Sequence, residues 1–113
     1  MPFIRTEVNL AIPPEKEKAL ARRFGQAISL LPGKSERYLM LSFRENALLY
    51  FAGTDAPAAL CEVKVFGPLS SPACSKLTAA LTESLCDELG LSADRVYVAY
   101  FSTDEWGWNG SNF

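Results

Sequence analysis

A chain without histidine has no Ser–His or Cys–His nucleophile pair to offer, and this 113-residue chain has none. Its three cysteines, Cys61, Cys74 and Cys86, form no C-x-x-C pair and have no histidine with which to share a metal. Neither a disulfide framework nor a Cys/His zinc centre is expected, and each thiol reads as a small buried hydrophobe. Pro32-Gly33-Lys34 lacks the glycine and Ser/Thr spacing of a phosphate loop. The acidic pairs Asp87-Glu88 and Asp104-Glu105 read as solvated surface. What remains is the amino terminus, where Met1 is followed directly by Pro2. Removal of Met1 would leave Pro2 as a secondary amine. An α-amino group titrates at roughly 7.7–8.0, and burial or a nearby cation lowers that value by disfavouring the charged form. A neutral amine near pH 7, held in direction by its ring, is suited to abstracting a proton next to a carbonyl. The competing reading is structural: a proline opening an edge strand, where a missing N–H costs little.

Such a base needs a folded pocket around it. Hydrophobic residues make up 49% of the chain and charged residues 21%, the balance of an ordered globular domain, and the length fits one domain with a real core. The net charge of −2 and the absence of a long basic run argue against nucleic acid or an anionic membrane as partner. No apolar signal-peptide core and no bilayer-length apolar run occur, so a cytoplasmic start is the expectation. Asn109–Ser111 fits the glycosylation pattern but has no meaning without entry into the secretory route.

The elements form two similar units, about 1–57 and 58–113. Residues 3–10 (FIRTEVNL) read as a strand. Beyond Pro13 and Pro14 a helix is predicted, with Leu20, Phe24, Ala27 and Leu31 on one face and Pro32-Gly33 ending it. Residues 38–43 (YLMLSF) and 48–53 (LLYFAG) follow as strands. In the second unit residues 59–67 are a strand, and Ser71 is the predicted cap of a helix with Pro72 in its first turn. Leu77, Ala80, Leu81, Leu85 and Leu89 face the core, and Gly90 closes the helix. Residues 96–101 (VYVAYF) form the last long strand. EVNL at 7–10 echoes EVKV at 62–65, and SERYLML at 35–41 echoes SADRVYV at 92–98, which supports a duplicated β-α-β unit.

Helical crossovers make each flanking strand pair parallel. The resulting fold is α+β in two layers: a four-stranded sheet with two helices on one face. Its other face needs cover from another chain, leaving Leu39, Leu41, Val63 and Val65, or their alternating neighbours, exposed in a lone subunit. The topology alone also suits a ferredoxin-like or RNA-recognition domain, but YLMLSFRE lacks the glycine-aromatic pattern of an RNA-binding strand.

Along essentially its whole length the chain resembles the macrophage migration inhibitory factor family of the tautomerase superfamily. The features that carry this are the initial MP, Gly33-Lys34 followed by Tyr38, APAALCEVKVFG in mid-chain, DRVYVAYF at 94–101 and the tail GWNGSNF. The resemblance implies a homotrimer with pockets between subunits and keto–enol tautomerisation of phenylpyruvate-type acids or dopachrome-like compounds, without a cofactor. It also implies a second class of function, a cytokine-like ligand for a cell-surface receptor that leaves the cell without a signal peptide.

By position, Pro2 matches the family's catalytic base and Lys34 the cation for the substrate carboxylate. Phe66 stands where the family uses a backbone N–H and an apolar side chain. Tyr97 matches a tyrosine lent by the neighbouring subunit, and Phe3, Tyr38, Trp106, Trp108 and Phe113 match the apolar lining. Taken alone, Lys34 reads as a surface charge near a helix end, the tyrosines as strand packing and the tryptophans as interface anchors. Two departures stand out. Ala99 replaces a common asparagine, removing a substrate hydrogen bond, and Ala58 replaces the first cysteine of a redox pair whose second is Cys61.

Overall fold

The computed structural model describes residues 1–112. Strand β1 (Pro2–Val8) leads to helix α1 (Pro14–Ala27), and strand β2 (Met40–Arg44) returns beside β1. The second unit repeats the order with β3 (Ala59–Phe66), α2 (Ser71–Leu89) and β4 (Val96–Thr103). A small hairpin, β5 (Gly107–Trp108) and β6 (Ser111–Asn112), follows. The sheet order is β2-β1-β3-β4. β1 runs parallel to β2, β3 runs parallel to β4, and the two central strands are antiparallel, with Pro2 opposite Val65 and Val8 opposite Ala59.

This order places Pro2 on a central strand, not on an edge. Proline is tolerated there because it is the first residue of the strand, where one lost N–H ends the ladder without breaking it.

Strict alternation on β1 and β3 puts Ile4, Thr6 and Val8 with Cys61, Val63 and Val65 on the face covered by both helices. They share one core with Leu20 and Phe24 of α1 and Leu77, Leu81 and Leu85 of α2. Each such buried side chain contributes about 1.5–3 kcal/mol of transfer free energy. Arg23 of α1 ties the helix layer together, reaching Asp87 at 2.9 Å and Glu88 at 3.1 Å.

Val63 and Val65 are therefore fully covered, and Leu39 and Leu41 pack against the core. The uncovered set is the alternating one: Phe3, Arg5 and Glu7 on β1, Met40, Ser42 and Arg44 on β2, Leu60, Glu62 and Lys64 on β3, and Tyr97, Ala99 and Phe101 on β4. On this face Lys64 lies over the Phe101 ring at 5.8 Å and Arg44 approaches Glu7 at 3.9 Å.

Three local expectations are corrected. Residues 48–53 form no strand; a single antiparallel bridge joins Phe51 to Thr54 around Ala52 (φ 54°) and Gly53 (φ 78°). The helix α2 cap is Ser70, whose hydroxyl accepts from the Ala73 N–H at 3.4 Å, so Ser71 and Pro72 both lie within the first turn. Tyr38 belongs to a 3₁₀ turn, Glu36–Tyr38, and β2 starts two residues later.

That 3₁₀ turn has a twin at Ala93–Arg95 before β4, each preceded by an extended serine, Ser35 and Ser92. The turn at Phe51–Thr54 also has a twin. Trp108 and Ser111 pair around Asn109 (φ 54°) and Gly110 (φ 87°), in the left-handed pair of conformations that a two-residue hairpin requires. The offset between these turns is the one that separates Gly33 from Gly90. The duplication thus extends beyond the echoes visible in the sequence.

Candidate functional site

Pro2 is buried at the start of β1, and the chain end it carries opens into a cleft of about 620 Å³. Three segments converge there. The N-terminal residues form one wall, with Met40 across from Phe3 in the parallel register. The 3₁₀ turn supplies Arg37 and Tyr38, and the tail supplies Glu105, Trp106 and Trp108.

Each wall is held by local chemistry. Gly33 adopts φ 78° after the buried Leu31, a conformation that costs glycine little, and the Lys34 N–H donates back to the Leu31 carbonyl at 3.0 Å. The turn sends the Lys34 side chain to the end of β3, where its Nζ donates to the Phe66 carbonyl at 2.8 Å. Gly67, with φ 91°, ends β3 and donates its N–H to the Thr103 carbonyl at 3.0 Å. The Thr103 hydroxyl then accepts from the Glu105 N–H at 3.0 Å, starting the turn into the tail. Trp108 packs edge-on against Tyr38, with centroids 5.8 Å apart and rings at 82°.

Met1 occupies the head of this arrangement. Its carbonyl accepts the Phe66 N–H at 3.1 Å. Its amine is held below the usual value of 8.0, first by burial and then by the Lys34 charge. The end of the chain is therefore a place where an amine is pushed toward its neutral form.

Seven of the nine residues singled out from the sequence meet here: Pro2, Phe3, Lys34, Tyr38, Phe66, Trp106 and Trp108. Phe113 lies outside the described residues. Tyr97 is not brought to this cleft. It pairs with Leu60, and Leu60 stands five residues along β3 from Val65, the partner of Pro2, or roughly 17 Å away. Tyr97 is 60% exposed and lines a second, smaller cavity of about 140 Å³ together with Phe51, Ala59 and Arg95. The other tyrosine of VYVAY is structural. The Tyr100 hydroxyl bonds to Thr78 at 2.8 Å and donates to the Cys74 carbonyl at 2.9 Å, and burial pushes its pKa up to about 12.

Sequence reasoning missed Arg37, Met40 and Glu105 as cleft residues. Arg37 stands next to Tyr38 in the quoted SERY segment, and Met40 follows from the β1–β2 register. Glu105 is exposed, as its surface reading expects, and also lines the cleft, where it accepts from Asn112 Nδ2 at 3.3 Å. Cys61 offers no thiolate at neutral pH. It is buried, bonds to Thr6 at 3.4 Å and titrates at about 11, while burial also raises Cys74 and Cys86. Among the described residues no helix is long and apolar enough to cross a membrane.

The family model for macrophage migration inhibitory factor matches residues 1–113. The mouse (Mus musculus) macrophage migration inhibitory factor is 30% identical over 113 residues, covering 98% of this chain and 96% of its own length. Among solved structures, the MIF2 of Leishmania major superposes with a TM-score of 0.94 at 33% identity, covering 100% of this chain and 97% of that one. The macrophage migration inhibitory factor homologue of Prochlorococcus marinus gives 0.85 at 27% identity, with 98% of each chain covered.

Proposed function

Because this chain belongs to the macrophage migration inhibitory factor family, we propose that it is a keto–enol tautomerase of phenylpyruvate-type acids that uses Pro2 as its general base once Met1 has been removed. One observation carries the reading: the chain-end amine is driven toward neutrality by burial and by Lys34, at a residue whose carbonyl accepts the Phe66 N–H. Behind Met1 the Pro2 nitrogen is an amide and cannot take a proton. Freed, it is a secondary amine in the same field.

In the forward step the Pro2 nitrogen removes a proton from the carbon next to the keto group. The electron pair of that C–H bond becomes the enolate double bond, and the carbonyl oxygen takes the negative charge. Return of the proton to oxygen gives the enol, and the reverse path gives the keto acid. No redox partner is needed. Lys34 has three N–H donors, of which one is engaged on the Phe66 carbonyl, so it can also bind the substrate carboxylate. The Phe66 N–H, relieved of the Met1 carbonyl, orients a substrate oxygen. Phe3, Tyr38, Trp106 and Trp108 enclose the aryl group and exclude water from the amine.

The active form is a homotrimer, in which the uncovered sheet face is buried and Tyr97 completes the cleft of a neighbouring subunit. Support comes from the distance that keeps Tyr97 from Pro2 within one chain and from the exposed Met40 and Phe101 on that face. A second role as a receptor ligand is the alternative reading, and the relatives' name, macrophage migration inhibitory factor, is consistent with it. Enol–keto conversion of phenylpyruvate, followed by ultraviolet absorbance, tests the enzymatic reading. Pro2→Gly in the processed chain is expected to lower kcat/KM by about 100-fold or more. Retained activity in that variant would sink the proline mechanism, and receptor binding by it would establish the second role as separate.

A further inference from the structure

Three of the six arginines hold carboxylates or carbonyls among the described residues. Arg23 holds Asp87 and Glu88, Arg44 approaches Glu7, and Arg95 donates to the carbonyls of Phe51, Thr54, Ala56 and Pro57. Arg37 differs. It is exposed, lines the Pro2 cleft and lies over the Tyr38 ring at 5.3 Å. Among the described residues no carboxylate is within ion-pairing distance of it. The guanidinium lies over the ring face, and its planar fork of N–H donors suits bidentate capture of a carboxylate.

Its place in the cleft assigns the part of a ligand it would meet. Lys34 stands at the Phe66 end, beside the amine. Arg37 stands on the wall made by Tyr38 and Trp108, where the aryl tail of a phenylpyruvate-type acid lies under the proposed reading. The cleft of about 620 Å³ falls in the range of sites for ligands of some size, so a substituted ring fits within it. Glu105 lines the cleft too, but its carboxylate accepts from Asn112 Nδ2 on the tail hairpin. Two cations against one tethered carboxylate make the cleft positive in a chain of net charge −2. We infer that Arg37 is a specificity residue which selects 2-keto acids carrying a second anionic group at the far end of the molecule, such as ring-carboxylated arylpyruvates. The inference rests on the tautomerase reading of the same cleft.

The test uses ligands that cannot be turned over, so that its failure is distinct from failure of the tautomerase assay. Phenylacetate is the monoanion and 4-(carboxymethyl)benzoate the dianion. Trp106 and Trp108 are the two tryptophans of the chain and both line the cleft, so quenching of their fluorescence reports occupancy directly. In the processed chain the dianion is expected to bind roughly fivefold tighter than the monoanion, a preference that shrinks as salt is added. Arg37→Ala should bring the ratio close to one, Arg37→Lys should keep part of it, and Glu105→Gln should widen it. Equal affinities in the unsubstituted chain, no binding of either ligand, or an unchanged ratio in Arg37→Ala would each overturn the assignment. A preserved ratio in a chain that leaves phenylpyruvate untouched would uphold Arg37 and defeat the tautomerase reading instead.

Discussion

The molecule has two mouths built to one plan. At each, a strand starts beside a 3₁₀ turn, and a two-residue hairpin lays an aromatic ring across the opening. At the first mouth Trp108 packs on Tyr38; at the second Phe51 packs on Tyr97, with centroids 4.9 Å apart. By the offset that relates the two glycine-ended turns, Tyr38 corresponds to Arg95 and Lys34 to Leu91. Arg95 fills its mouth from within, bonding to four backbone carbonyls at 2.7–3.3 Å and lying 5.1 Å over the Phe51 ring. Leu91 is buried at 5% exposure. The cavity left is about 140 Å³, against about 620 Å³ at the first mouth.

The backbone plan is shared, and what differs is the chain end and two side chains. At the second mouth the chain runs on through Pro57 and Ala58, so every nitrogen is an amide. At the first, removal of Met1 under the proposed reading leaves Pro2 as an amine. A duplicated fold thus provides two frames, and under the proposed reading the substituents decide which one does acid–base chemistry.

The comparison breaks most visibly at Arg95. Arg95→Ala removes a charged donor from four carbonyls and is expected to destabilise the chain by about 3 kcal/mol, read by chemical denaturation. Tyr38→Ala at the other mouth should cost far less stability and show its loss in turnover. Similar stability losses at both sites would mean that the second mouth is not the structural one. Lys34→Leu sharpens the contrast by installing an apolar residue of the kind the other mouth carries. At a pH high enough to keep the amine neutral in both proteins, the KM for phenylpyruvate should rise about tenfold with kcat little changed, and the methyl ester should be affected much less. Equal losses for acid and ester would mean that Lys34 acts on the amine alone and does not hold the carboxylate. The smallest effect belongs to Ala99, half-buried beside Glu62 on the uncovered face. Ala99→Asn restores a hydrogen-bonding group and should tighten carboxylate binding by a few-fold, measured as a fall in KM.

Much of this was legible in the sequence because it rests on periodicity and punctuation. The helical faces follow Leu20 and Phe24 and then Leu77, Leu81 and Leu85, and Gly90 marks where α2 stops, whereas α1 ends at Ala27 and gives way to a 3₁₀ turn, Ile28–Leu30, ahead of Gly33. The covered face of the sheet was not legible, since alternation offers two sets of positions and only the packing of both helices chooses Val63 and Val65. Residues 48–53 have strand composition but no intrachain neighbour to pair with, and a left-handed turn at Ala52-Gly53 reverses them at once. Ser70 and Ser71 have equal capping chemistry, and the geometry of one turn decides between them. Pro2 stood out by type and place, and Lys34 only through the family resemblance. Arg37 and Glu105 did not, because 68 positions separate them in the chain and only the tail's return brings both to one cleft.

The central claim is that catalysis requires the first mouth to hold a free chain end. One batch of protein, separated by mass spectrometry into Met1-retaining and processed chains, decides it in the phenylpyruvate assay. The processed chain should be active. Its rate should rise with pH through an apparent pKa below the ordinary α-amine value of 8.0, because the neutral amine is the base and burial with Lys34 disfavours its charged form. The chain that keeps Met1 should fold and assemble equally well yet be nearly inactive, its Phe66 N–H held by the Met1 carbonyl. Equal turnover by the two chains would contradict the account, since an amide nitrogen at Pro2 cannot accept the proton.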